Sequence, residues 1–249
     1  MFYNETEVCG VATNPALARL RDRKFYLFMA IFVAVVVFAG FARTFFLNSF
    51  FARIDLPTLF IFHGLIFSSW IVLLVVQAAL ISSRKVRVHR LLGYAAIALV
   101  LLMIVVGLTM AVRSAQRGFS PPGAPPPLSF MVIPFGDILV FSVLIGLAFW
   151  YRNRTETHKR LMLFGTLAIL PPATARICLL FTTRAILPVA YASAFAVMLG
   201  CMLYDYRTHR RVHRAYIWAA LFFAVSVPLR MYIGGTAAWL SFAHWITRT

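Results

Sequence analysis

Long apolar stretches alternate with short cationic ones along the whole chain. Seven apolar runs stand out, at 25–47, 56–82, 88–112, 128–151, 159–183, 186–206 and 215–235, and a shorter tail, TAAWLSFAHWIT, follows at 236–247. Each run reaches the roughly 20 residues that carry a helix across a bilayer. The runs are too long and too continuous for barrel strands of about ten alternating residues, so helix is the form that satisfies the backbone. The pattern predicts an all-α polytopic membrane protein, a bundle of seven transmembrane helices plus a short C-terminal amphipathic helix. Residues 1–24 form a cytoplasmic N-terminal segment and 25–249 a single transmembrane domain. Between the third and fourth runs, RSAQRGFSPPGAPPPL (113–128) holds five prolines and two glycines. Such a stretch forbids regular helix and predicts an extended cap over the outer face. Trp150 with Tyr151, and Trp239 with Trp245, fall where interfacial aromatic belts sit.

Charge changes the picture by giving the bundle a direction. The net charge of +17 invites a nucleic-acid reading, but of the 24 Lys and Arg all except the intramembrane Arg176 and Arg230 sort by loop. On one side lie Arg19, Arg21, Arg23, Lys24, Arg84, Lys85, Arg87, Arg90, Arg152, Arg154, Lys159, Arg160, Arg207, Arg210, Arg211 and Arg214; on the other, Arg43, Arg53, Arg113, Arg117, Arg184 and Arg248. Sixteen against six is the positive-inside signature, with a cytoplasmic N-terminus and, for seven spans, a C-terminus outside. The basicity is thus mostly topogenic and lipid-facing, and no nucleic-acid partner is expected. The first two dozen residues lack the apolar core and cleavage site of a signal peptide, so the first span is expected to target the chain. Cys9, Cys178 and Cys201 show no paired spacing, which indicates neither a disulfide framework nor a zinc site.

Candidate chemistry resides in the polar residues inside the apolar runs, where a charge costs about 3 kcal/mol on insertion scales and usually faces the bundle. At about 1.5 Å rise per residue, Asp137 lies roughly 5 Å, Arg176 and Arg230 roughly 7 to 8 Å, and His63 roughly 9 Å outward of their span centres. Four ionisable groups from four helices fall in one outer layer, and they form one cluster if they face a common interior. Pro171, Pro172 and Pro228 release the carbonyls of Leu167, Ala168 and Ala224, and Pro134 precedes Gly136 and Asp137. A plain reading is an Asp137–Arg pair that fixes helix packing. One carboxylate, however, neutralises one arginine of the two. The surplus charge suits negative oxygen, which the planar guanidinium binds in bidentate fashion. His63 fits a proton relay, a cofactor ligand or a satisfied interior histidine.

A second set lies at the cytoplasmic level, where His89 opens the third span in VHRLLGY and His158 the fifth in THKRLM. Two histidines on separate helices can ligate a b-type haem axially; the plainer alternative is headgroup-level histidines in basic loops. Asp205, His209 and His213 in YDYRTHRRVH include an i, i+4 histidine pair, but their cationic surroundings argue against a metal. No HExxH, GxSxG, GxGxxG or P-loop pattern occurs, and no lysine falls in the middle of a span. Asp137 alone as mid-span carboxylate excludes catalysis by an intramembrane carboxylate pair.

The segments FHGLIFSSW, VHRLLGY, PFGDILVF, ETHKRLM, PPATAR, VPLR and GTAAWLSFAHW together resemble a family of uncharacterised bacterial seven-span integral membrane proteins, over most of the chain from His63 onward. The resemblance implies the seven-span topology and places His63, His89, Asp137, His158, Arg176 and Arg230 in family motifs; it supplies no activity. The chain is also similar to transmembrane ascorbate-linked b-type cytochromes, whose four core helices carry axial histidines on the first and third and on the second and fourth. Spans two to five would be that core. His89 and His158 match the second pair and His63 half of the first, while the fourth span offers Asp137 and no histidine. At most one haem near the cytoplasmic face follows. Three functions are therefore expected, in this order. The first is an outer polar cavity in a bacterial cytoplasmic (inner) membrane protein that binds, senses or transports a small polar or anionic ligand through His63, Asp137, Arg176 and Arg230. The second is a haem b cytochrome passing electrons, with a quinone as partner. The third is a structural accessory subunit of a membrane complex.

Overall fold

The computed structural model describes residues 15–51 and 55–248, with side chains from Arg19 onward. Cys9, Arg53 and the first fourteen residues, on which the targeting argument rests, lie outside the described residues. Among the described residues eleven α-helices follow one another: α1 (Pro15–Phe41), α2 (Asn48–Phe51), α3 (Thr58–Ser82), α4 (Val86–Gln116), α5 (Pro127–Phe130), α6 (Val132–Trp150), α7 (Thr155–Ala168), α8 (Pro171–Cys178), α9 (Ile186–His209), α10 (Arg214–Gly234) and α11 (Ala237–Thr247). A π-turn at Ala42–Phe46 joins α1 to α2. No strand occurs among the described residues.

Among the described residues six helical segments are long and apolar enough to cross a membrane: Arg19–Phe46, Thr58–Ser82, Val86–Gln116, Pro127–Trp150, Ile186–His209 and Arg214–Gly234. The predicted fifth run is instead a broken pair, α7 and α8, bent by 42°. Its cause is local. Pro171 and Pro172 have no N–H to continue the ladder, and the chain tightens, with Leu170 N–H donating to the Leu167 carbonyl at 3.1 Å and Ile169 N–H to Thr166 at 3.2 Å. The Leu167 carbonyl freed by proline is therefore satisfied by a tighter turn, which removes one reason to expect water there. Pro134 acts similarly: it cannot donate to Phe130, and the helix breaks at Met131 between α5 and α6. Pro228 stays within an unbroken α10.

α1 begins at Pro15, ten residues before the apolar run at 25, because the intervening ALARLRDRK is rich in good helix formers. α4 likewise extends to Gln116, which shortens the predicted 113–128 cap to 117–126.

α6 packs among α4, α7 and α10, while α1 packs on α3 and on α8. The core joins Trp70, Met103, Phe141, Phe164, Tyr216 and Phe223. Trp70 meets Phe141 edge to face, with ring centroids 5.5 Å apart, and donates its indole N–H to Thr166 Oγ1 at 3.3 Å. Small residues allow close approach between helices. A Cβ on Gly40 would lie 2.4 Å from the Ala173 carbonyl oxygen, so α1 and α8 touch backbone to backbone. The outside of the bundle is apolar, with Phe28, Val35, Val72, Leu101, Val105, Leu139 and Trp218 all exposed. A surface of this kind over helices of this length is what a bilayer covers.

The bundle has two ends. One gathers Asp22, Lys159, Arg160, Asp205 and His213 and is termed the basic end. The other carries the π-turn, α5, the α8–α9 connection and α11 and is termed the distal end.

Candidate functional site

Asp137, Arg230, Tyr191 and Ser226 meet in the distal half, from α6, α10 and α9. Arg230 Nη1 donates to Asp137 Oδ1 at 2.5 Å and to Tyr191 Oη at 3.2 Å, and Tyr191 O–H donates to the same carboxylate oxygen at 2.9 Å. Arg230 Nη2 donates to Ser226 Oγ at 2.9 Å. Asp137 is 6% exposed and Arg230 5%. A Cβ on Gly136 would lie 2.2 Å from Arg230 Nε, so glycine is the residue that admits the guanidinium against α6. Arg230 Nε itself has no partner. A cavity of about 170 Å³ lined by Pro125, Ser129, Ile133, Gly234 and Arg230 reaches this cluster from the distal side.

Arg176 stands apart from that pair. Its Nη1 donates to the Pro172 carbonyl of its own helix at 2.9 Å, and its guanidinium lies 4.3 Å from the centre of the Phe41 ring. No carboxylate within 4 Å pairs with it among the described residues. His63 is within electrostatic reach of Arg176. The imidazole stacks near Phe67, with centroids 4.2 Å apart, and its Nδ1 is buried without a hydrogen-bond partner. Close packing of Gly40 on Ala173 and of Gly64 on Phe45 draws α1, α3 and α8 together there. The four residues expected as one cluster thus fall into two groups: an ion pair, Asp137 with Arg230, and Arg176 with His63, which no carboxylate joins among the described residues.

His89 lies within electrostatic reach of His158. His158 Nδ1 donates to the Ala148 carbonyl at 2.8 Å, which leaves Nε2 as a free acceptor. His89 reaches the backbone of Gln77, and its Nδ1 is buried without a partner. No group of three or more His, Cys, Asp or Glu that could hold a metal ion occurs among the described residues.

The largest polar cluster was not visible as such in the sequence. At the basic end Arg160, 3% exposed, pairs with Asp205, 2% exposed, and donates to Glu156 Oε2 at 2.6 Å. Asp205 Oδ2 accepts the backbone N–H of His213 at 2.8 Å. Lys159 bridges Asp22 at 2.6 Å and Glu156 at 2.7 Å, and His209 Nδ1 lies 3.1 Å from Asp205 Oδ1. Tyr26 and Tyr216 join hydroxyls at 3.0 Å beside them. Arg160 and Lys159 are therefore turned into the bundle, two exceptions to a basicity expected to be mostly lipid-facing. The usable signal was the minority charge: Asp22, Glu156 and Asp205 each sit inside an otherwise cationic stretch, and a cation that takes one of them as a partner can be buried.

Fold and site together define an all-helical bundle with membrane-length apolar helices and buried ionic clusters at both ends. No protein family, no curated protein and no solved structure matches this chain.

Proposed function

We propose that this chain is a seven-span protein of a bacterial cytoplasmic membrane, with its basic end in the cytoplasm, that binds a small anionic or oxygen-bearing ligand at Arg176 and His63. Here α7 and α8 count as one bent span. The observation that carries the reading is that no carboxylate among the described residues pairs with Arg176. A half-buried guanidinium on an aromatic ring with one carbonyl partner keeps donors to spare, and a ligand oxygen would complete its fork. His63 Nδ1 supplies an adjacent group able to donate or accept a proton. Asp137, Arg230 and Tyr191 hold the helices around this layer, and the 170 Å³ cavity gives the distal side polar access to Arg230.

The test is thermal unfolding of the detergent-purified protein with inorganic phosphate, succinate and a soluble quinone. A binder raises the melting temperature by mass action, by about 2.7 kcal/mol of stability at a hundredfold excess over Kd. Arg176→Gln should remove that rise while leaving the ligand-free protein as stable or more so. A rise that survives Arg176→Gln, or no rise with any probe, rejects the reading.

A second reading, a haem b held between His89 and His158, is favoured by the carbonyl that orients His158 and frees its Nε2, the arrangement usual behind a ligating histidine. Haem would supply one-electron chemistry. A visible spectrum decides: a dithionite-sensitive Soret band lost in His158→Ala supports it, and a flat spectrum from haem-supplied cells rejects it.

A further inference from the structure

A second cavity, of about 520 Å³, opens on the distal half between α4, α6 and α11. Its volume is in the range of about 300–1,000 Å³ typical of small-molecule sites. From α4 it takes Leu108, Thr109, Val112, Arg113 and Gln116, which follow i, i+4, i+8 spacing along one helical face. These eight steps run about 12 Å along the helix axis. The opposite wall is Phe135 and Ile246, and Arg248 closes the distal rim. The groove is therefore graded: two guanidiniums at its end and apolar side chains below, with no Asp or Glu among the described residues that line it.

The rim is organised. Gln116 accepts from Arg113 Nη1 at 3.0 Å and donates its amide to the Thr247 carbonyl at 3.1 Å, so the side chain that steadies Arg113 also ties the end of α11, and with it Arg248, to α4. Arg113 uses one of five donors in doing so. Below the groove the same helix continues into Leu101 and Val105, 61% and 63% exposed, on the apolar outer surface of the bundle. A soluble anion would use the rim and leave the apolar walls unmatched. A molecule with a negative phosphate and an acyl chain matches both, because its charge meets the guanidiniums and its chain lies where the helix already faces hydrocarbon.

We propose that this groove is a binding site for an anionic phospholipid, its phosphate between Arg113 and Arg248 and one acyl chain along Leu108, Val112, Phe135 and Ile246. The site is distinct from Arg176 and rests only on the membrane-spanning part of the proposed function, which carbonate extraction of cell membranes checks separately. The experiment is native mass spectrometry of the full chain, delipidated in detergent and reloaded with phosphatidylglycerol, phosphatidylcholine or glycerol 3-phosphate. The wild type should retain phosphatidylglycerol at least tenfold more than phosphatidylcholine and should ignore glycerol 3-phosphate. Arg113→Gln with Arg248→Gln should lose that preference. Thr109→Trp, which keeps both arginines and obstructs the groove, should lower phosphatidylglycerol retention by a similar factor. Equal retention of the two lipids, competition by glycerol 3-phosphate alone, or unchanged retention in either variant would overturn the proposal. Each variant is read against its own lipid-free melting temperature, so unfolding is separated from loss of the site.

Discussion

Among the described residues Asp137 and Arg230 have no ionic partner but each other, and the consequences of removing one are asymmetric. Asp137→Asn leaves a buried guanidinium without its anion and should cost about 3–5 kcal/mol. Asp137→Asn combined with Arg230→Gln should cost less than the sum of the single changes by about 0.5–3 kcal/mol, as expected for groups in direct contact. Thermal unfolding of the four proteins in one detergent measures both. Gly136→Ala tests the same site sterically: its new methyl meets Arg230 Nε, and a loss of about 1–3 kcal/mol is expected, as for other overpacked positions. An unchanged melting temperature would mean that the guanidinium is free to move. Asp137, Arg176, Arg230 and His63 were legible as candidates because a charge in an apolar run stands out, and depth along a helix is simple arithmetic. Which arginine takes the carboxylate was not legible. That depends on the rotation of α6, α8 and α10 about their own axes, and the runs are apolar nearly all round, so their periodicity does not specify a face.

At the scale of the element, α10 begins with a histidine cap. His213 Nδ1 accepts the Ala215 N–H at 3.1 Å, which requires that nitrogen to be unprotonated. Its pKa lies below the ordinary 6.5, chiefly through burial and then through the Arg160 guanidinium; Asp205 and Glu156 oppose the shift, and Arg211 adds to it. A group whose folded pKa is depressed contributes stability that is complete above its unfolded pKa and is lost as pH falls through the folded value. The melting temperature should therefore fall as pH drops below 6.5, and part of that fall should vanish in His213→Asn, which caps at every pH. An identical pH profile for the two proteins would remove His213 from the account. The sequence marked His213 only as half of an i, i+4 pair with His209. Its capping role depends on the bend between α9 and α10, where Arg210 takes φ 57° and ends α9. The break between α7 and α8 was legible as two prolines; its closure by a tightened turn was not, because the hydrogen-bond partners are chosen only when the backbone settles.

For the whole molecule the discriminating quantity is the number of crossings. If α7 and α8 together cross, a reporter fused after Thr249 should lie on the opposite side of the membrane from one fused before Met1. If the pair enters and leaves by the same face, both reporters should lie on one side. Paired phosphatase and fluorescent-protein fusions at the two termini measure this, with the basic end expected in the cytoplasm. Sequence alone determined the helical class, the positions of the apolar helices and the segregation of charge between their ends. Those properties follow from hydropathy and backbone satisfaction, which are summed along the chain and need no partner. Tertiary structure alone decided that Arg160 is buried on Asp205 while Arg176 has no carboxylate, and that Arg113 and Arg248 share one groove. Each of these is a meeting of side chains from helices distant in sequence, fixed by helix rotation and by the close approaches that Gly40, Gly64 and Gly136 permit.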